Sequence, residues 1–372
     1  MFNFMTILLL LGLIAYVLEF SVFLLGLKKA REVPADRSLE PTVSVIVAAR
    51  NEEKRIKQCL RSLVKMEYPR DKLEIIIVND GSSDRTPDIV KEYADRFAYV
   101  KLITTKHEQK NLRGKANAVA MGIGASHGEI LMLTDADCIV PATWVRDTVQ
   151  YFTEEIGIVG GFTILTANRP FEVIQTLDWM LLFTIASSTA GLGFPLTVVG
   201  NNLSVRRRAY EQTGGYEKIP FSVTEDYALV QAVLKETEYK LRFPLHVRTG
   251  IESTPCKDWD ELFRQRQRWA VGGLEMIPPG ILVMAVCWLM HFLLLVGLFF
   301  VSFPIWLFTV GVKIAMDVGY LWRPLKTFGI LRHLKYLAAF EMYYFVYAIV
   351  IPFIALFSKH VLWKERSHQA EG

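Results

Sequence analysis

The sequence predicts an α/β domain with a mostly parallel sheet and helices on both faces, joined to transmembrane helices at its N- and C-terminal ends. Three observations predict it. Between residues 42 and 137 short apolar runs alternate with amphipathic ones, the pattern of repeated β-α units with right-handed crossovers. Several of those runs end in acidic residues. Long apolar segments, sufficient to cross ~30 Å of hydrocarbon, stand on either side.

Residues 43–49, 73–78, 100–104 and 130–134 read as strands. Residues 54–66, 87–97 and 115–125 read as the helices that follow the first three. The second half is less regular: 156–162, 198–205 and 239–243 read as strands and 226–234 as a helix. Of the 372 residues 52% are hydrophobic and 22% charged, the mixture of a water-facing domain fused to membrane segments. The mild net charge of +4 and the lack of a basic-aromatic motif argue against nucleic acid as a partner. The four cysteines, Cys59, Cys138, Cys256 and Cys287, are too scattered for a zinc site or a disulfide framework, which fits a reducing cytoplasm.

Residues 4–27 are apolar apart from Glu19. With no basic start, a long core and no small-residue cleavage site, they read as a retained helix rather than a signal peptide. Lys28, Lys29 and Arg31 follow, so the charge rule places the next domain in the cytoplasm, at the inner or plasma membrane. Residues 281–320 allow two passes with a break near Ser302-Phe303-Pro304, and 336–357 form a third apolar stretch. The basic connector between them (Arg323, Lys326, Arg332, Lys335) belongs inside by the same rule. One further pass carries Lys359, Lys364 and Arg366 outward against it, a conflict that a re-entrant or interfacial segment removes. The expected division is a transmembrane helix at 1–27, a linker at 28–40, the α/β domain at 41–260, an interfacial helix at 261–280, a transmembrane region of about three helices at 281–358 and a polar tail at 359–372.

The strand at 130–134 runs into Asp135-Ala136-Asp137. Acids two apart on an extended segment point the same way, and open α/β sheets bind ligands beyond the carboxyl ends of their strands. Such a pair can hold a hard divalent cation whose shell is completed by phosphate oxygens. The second strand ends in Asn79-Asp80-Gly81-Ser82-Ser83-Asp84, which is either a plain turn or places Asp80 on a base or ribose. Glu52, after the first strand, is either a helix-start acid or a nucleotide contact. Lys115 opens a helix in Gly114-Lys115-Ala116-Asn117, near phosphates or a sugar or simply exposed; no Walker loop is present.

Thr224-Glu225-Asp226 opens another helix and suits a capped first turn. There Asp226 also suits a general base, because the helix N-terminus favours its charged form and a nearby diphosphate opposes it. Gln265, Arg268 and Trp269 share one helical face by their i, i+3, i+4 spacing. They fit an interfacial helix, or an amide, a cation and a ring turned to an acceptor sugar and a leaving diphosphate.

In combination and order these motifs resemble family 2 of the inverting glycosyltransferases. The membrane-bound branch of that family holds the cellulose, hyaluronan and poly-N-acetylglucosamine synthases and the ceramide glucosyltransferases. The resemblance spans residues 41–273 and implies a GT-A nucleotide-sugar domain. It implies that Asp80 and Asp135 bind the nucleotide-sugar, with Glu52 and Lys115 beside them, that Asp135 and Asp137 hold Mg2+ or Mn2+, and that Asp226 is the base. It implies that Glu225, Gln265, Arg268 and Trp269 serve the acceptor and the diphosphate. Gly200-Asn201-Asn202, followed by Arg206-Arg207, is similar to the acceptor-side segment of the family. The large polymer synthases have more membrane helices than are legible here.

The expected partners are a UDP-sugar, the bilayer, and a lipid or glycan acceptor; auxiliary subunits stay open. A lipid acceptor is preferred, because residues 171–195 are apolar yet broken by Ser187-Ser188-Thr189 and could lie on the bilayer; the same segment also reads as a buried helix. A processive polysaccharide synthase is the alternative. A membrane transporter or scaffold is another, prompted by His291, Lys313, Asp317 and Glu341 within the apolar block, although Lys313 and Asp317 at i, i+4 suit mutual pairing.

Overall fold

A computed structural model describes residues 3–30, 38–105, 112–357, 360–363 and 366–369 of the chain. Arg31, Lys359 and Lys364, used above for membrane orientation, lie outside the described residues. The chain opens with α1 (Phe4–Ala30) and continues through β1 (Val43–Ala49), α2 (Ile56–Leu63), β2 (Leu73–Asn79), α3 (Thr86–Arg96), β3 (Val100–Thr104), α4 (Gly114–Gly124), β4 (Ile130–Asp135) and α5 (Trp144–Val149). Next come β5 (Ile156–Gly160), β6 (Thr163–Leu165), α6 (Pro170–Leu192), β7 (Asn202–Arg206), α7 (Arg207–Gln212), α8 (Glu225–Glu236), β8 (Lys240–Arg242) and β9 (Ile251–Ser253). The last elements are α9 (Trp259–Gly272), α10 (Pro278–Phe300), α11 (Phe303–Thr327), α12 (Leu337–Phe357) and the pair β10 (His360–Trp363) and β11 (Arg366–Gln369).

Two compact units result. One is an α/β unit of Ala30–Thr166 and Thr197–Thr254; the other is helical and joins Met1–Lys29, Ala167–Leu196 and Pro255–Gly372. The α/β unit is therefore interrupted by α6, which belongs to the helical unit.

The sheet of the α/β unit has seven strands in the order β3-β2-β1-β4-β7-β5-β8. All neighbours are parallel except β7, which runs antiparallel between β4 and β5. Its central strands are buried on both faces, as parallel strands covered by helices must be. Ile75 and Ile77 of β2 face one core with Val45, Val47 and Trp144, while Ile76 and Val78 face the other with Ala118 of α4. Helix α2 closes the first core through Ile56, Cys59, Leu60 and Leu63, the i, i+3, i+4, i+7 stripe of an amphipathic helix.

Glu74 ties the amino end of the sheet's parallel strands. It accepts hydrogen bonds from the Ser44 hydroxyl at 2.7 Å, the Lys101 ammonium at 2.8 Å and the His127 N–H at 2.5 Å. Burial alone pushes its carboxyl up, but these bonds prevail and hold it at about 2 against an ordinary 4.5. A carboxylate held low contributes stability that is complete above the unfolded value and is lost as pH falls through the folded one. Glu74→Gln is therefore expected to flatten the acid limb of the stability profile between pH 4.5 and about 2, read by fluorescence-monitored acid unfolding. An unchanged limb would show that Glu74 is not the group responsible.

Among the described residues of the helical unit, four helices are long and apolar enough to cross a membrane: Phe4–Ala30, Pro278–Phe300, Phe303–Thr327 and Leu331–Ile354. The break between the second and third falls at residues 301–302, where the sequence places it. Lys313 pairs with Asp317 at 2.8 Å, as the i, i+4 spacing predicts, and also with Glu341. Tyr16 of α1 donates to Asp317 at 2.6 Å, so α1, α11 and α12 share one buried polar cluster. Gly26 lets α1 lie directly on the backbone of α6 at Ser188, where a Cβ has no room. Residues 171–195 thus take the buried-helix form: α6 is buried along most of its length.

Candidate active site

The parallel register brings β1, β2 and β4 to a common carboxyl edge, with Ala49 opposite Asn79 and Ala48 opposite Asp135. The antiparallel β7 starts at that same edge, because Asn202 faces Thr134. Chain order alone therefore puts residues 50–52, 79–80, 135–137 and 200–202 at one end of the sheet.

On the β1–β2 side a dense loop network forms. Asn51 adopts φ +52°, a left-handed conformation that Asn tolerates. Its N–H donates to the Ser82 hydroxyl at 3.1 Å and its side-chain oxygen accepts the Ser83 N–H at 2.9 Å. Glu52 donates its N–H to the Thr86 hydroxyl at 2.8 Å and lies 3.9 Å from Arg55. Arg50 donates to the Asp80 carbonyl at 2.8 Å, and Thr105 donates to Asp80 Oδ1 at 3.3 Å. The Asp80 side chain is only 4% exposed, whereas that of Asp135 is 35% exposed, so Asp135 is the more open to an incoming ligand.

On the β4 side Lys115, one residue into α4, reaches Asp135 Oδ1 at 2.6 Å and Glu225 Oε1 at 3.6 Å. Burial works against its charge, but Asp135, Glu225 and Asp226 outweigh that and raise its pKa, so Lys115 is an ammonium throughout the physiological range. Asp137 accepts from the Ser253 hydroxyl at 3.4 Å and lies 3.7 Å from the Cys138 thiol. Burial first, and then the Asp137 and Asp135 charges, push the Cys59 and Cys138 thiols up, which makes both inert as nucleophiles. Asp226, in the first turn of α8, accepts the Tyr227 N–H at 2.8 Å and the Gly200 N–H at 2.5 Å.

The structure thus joins Lys115, Asp135 and Glu225 directly, with Asp226 next in chain. Tyr216 was not legible in the sequence. It is buried, and its hydroxyl is driven well above the usual range by burial and then by Glu225 and Asp226. Gln265, Arg268 and Trp269 stand on α9, in the helical unit. There the Arg266 guanidinium lies over the Trp269 ring at 4.3 Å and donates to Gln265 Oε1 at 3.1 Å. Arg266 itself, unread in the sequence, is 3% exposed and ion-paired with Asp178 of α6 at 2.5 Å, with Tyr343 of α12 donating to the same carboxylate at 3.1 Å. The one legible signal for it was an acid, Asp178, inside an otherwise apolar stretch.

Asp135 and Asp137 offer oxygen donors only, a set that suits a hard divalent cation. Among the described residues no group of three or more His, Cys, Asp or Glu is arranged to hold a metal.

A mostly parallel sheet whose carboxyl edge carries the Asp135–Asp137 pair, with Glu225 and Asp226 in the first turn of α8 beside it, has the framework of a GT-A-type domain. The sequence matches the profile of "Glycosyl transferase family 2" over residues 44–214 and that of "Glycosyl transferase family group 2" over residues 130–358. The chain belongs to the family 2 glycosyltransferases. It is 33% identical over 251 residues to the "Probable glycosyltransferase YdaM" of Bacillus subtilis, covering 64% of this chain and 56% of that one. It is 30% identical over 240 residues to the "Beta-monoglucosyldiacylglycerol synthase" of Trichormus variabilis, covering 63% and 49%. The matches span about half the length of these relatives. The fold is that of a mannosyltransferase from Pyrobaculum calidifontis solved with GDP-Man and Mn2+: the TM-score is 0.63 at 21% identity, over 91% of this chain and 98% of that one.

Proposed function

We propose that the protein is a membrane-bound inverting glycosyltransferase that moves a sugar from a UDP-sugar to a lipid or lipid-linked acceptor, its α/β unit facing the cytoplasm. The observation that supports this most is the Lys115 bridge, which gathers Asp135 and Glu225, ninety residues apart in sequence, at the carboxyl edge of the sheet. A lipid acceptor is supported by the four apolar helices and by the printed activity of the Trichormus variabilis relative.

In this reading Glu52 and Asp80 hold the uracil and ribose, and the Lys115 charge faces the diphosphate. Asp135 and Asp137 would hold Mg2+ or Mn2+, which would supply charge neutralisation to a departing diphosphate. Asp226 takes the proton from the acceptor hydroxyl. The freed oxygen attacks the anomeric carbon as the bond to the diphosphate breaks, and in-line displacement inverts that carbon. The acceptor and diphosphate roles of Gln265, Arg268 and Trp269 rest on their motif alone.

Purified full-length protein in detergent, given radiolabelled UDP-glucose and diacylglycerol vesicles, is expected to place label in the lipid phase. Chelation by EDTA is expected to lower that transfer about 10²-fold, in line with the several kcal/mol a metal supplies, and added Mn2+ or Mg2+ to restore it. Label in a polymer would replace the lipid acceptor by a growing glycan. Transfer from GDP-mannose but not from UDP-sugars would overturn the donor assignment.

A further inference from the structure

Both carboxylate oxygens of Asp226 are met by backbone N–H groups, and the two groups come from different places. The Tyr227 N–H, on Oδ1, belongs to α8 itself. The Gly200 N–H, on Oδ2, comes from the loop before β7, 26 residues earlier. That loop closes directly on the acid: a Cβ at position 200 would stand 3.0 Å from both Asp226 Cβ and Oδ2.

The two residues after Gly200 are pinned in the interior, each 3% exposed. Asn201 accepts from the Thr163 hydroxyl at 2.9 Å. Asn202 accepts the Trp144 indole N–H at 3.1 Å and donates to the Phe162 and Thr249 carbonyls at 2.9 and 3.0 Å. Its own carbonyl accepts the Gly161 N–H at 2.9 Å. Buried amides satisfied in this way have one orientation, since any other leaves polar atoms unpaired. From Asn202 the chain enters β7 in register with Thr134, the residue before Asp135.

We propose that Gly200-Asn201-Asn202 is a positioning segment for the reaction. Its buried asparagines fix the loop against β4, and the Gly200 amide fixes the direction of the Asp226 carboxylate relative to the Asp135–Asp137 pair. A side chain at position 200 would displace the Asp226 carboxylate by a few tenths of an ångström. This rests on the reading of Asp226 as the base.

The test compares Gly200→Ala, Thr163→Val and Asp226→Asn in the full-length protein, with radiolabelled UDP-glucose and diacylglycerol vesicles. Gly200→Ala is expected to lower kcat about 10–100-fold, the effect of a misplaced group. The KM for the donor and the affinity for UDP are expected to stay within about twofold of the parent, and an unchanged stoichiometry of UDP binding separates this from loss of folded enzyme. Thr163→Val, which removes only the bond to Asn201, is expected to move kcat in the same direction by a smaller factor. If Gly200→Ala fails to fold, Thr163→Val decides alone. Parental kcat in the folded variants while Asp226→Asn is inactive overturns the positioning role and leaves the base standing. Parental kcat in Asp226→Asn removes the base, and the positioning role with it.

Discussion

Asp226→Asn is expected to reduce sugar transfer by ~10²–10⁴-fold, the range for loss of a well-placed general base. The substitution keeps the size of the side chain and its place at the start of α8. It exchanges one acceptor oxygen for an NH2 group, so only one of the Gly200 and Tyr227 N–H groups keeps a partner. The lost backbone bond is worth about 1 kcal/mol, far too little to unfold the unit. The expected signature is therefore inactivity with near-parental UDP binding and thermal stability, checked by single-turnover transfer beside a melting curve. Transfer within threefold of the parent would falsify the base assignment.

Arg266→Met is expected to destabilise the helical unit by about 3–5 kcal/mol, the cost of removing one partner of a buried ion pair. Arg266 is 3% exposed, and its loss leaves Asp178 as an uncompensated charge with Tyr343 as its neutral donor. It also removes the guanidinium from the face of Trp269. A thermal aggregation midpoint in detergent well below the parent is the measurement. Replacing both partners, Arg266→Met with Asp178→Leu, should recover much of the loss, since burying two apolar groups costs less than burying one charge. If the single variant melts like the parent, the pair does not hold α6, α9 and α12 together.

The regular half of the fold was legible element by element. The runs at 43–49 and 100–104 coincide with β1 and β3, because β-branched apolar runs bounded by turn residues have little else to become. The run at 198–205 was read too early: residues 197–201 are the loop that carries Gly200, and β7 begins only at Asn202. The three-residue β6 and β9, and the six-residue α5 and α7, are too short to show any period.

At the site, acids were legible because their side chains are what the chemistry needs. The Gly200 contact was not, since a backbone N–H is a donor that every residue but proline has. Arg266 was passed over because its motif neighbours Gln265, Arg268 and Trp269 drew the functional reading. Its real partner, Asp178, stands 88 positions away.

The insertion of α6 between β6 and β7 has a practical consequence for dissecting the protein. A fragment cut at residues 41 and 260 retains a 23-residue apolar helix while discarding α1, α11 and α12, which cover it. Such a fragment exposes a long greasy surface and is a poor reagent for kinetics or crystallisation. A fragment of the α/β unit alone requires deleting 167–196 and bridging Thr166 to Thr197 with a flexible Gly/Ser tether, which leaves all seven strands of the main sheet in place.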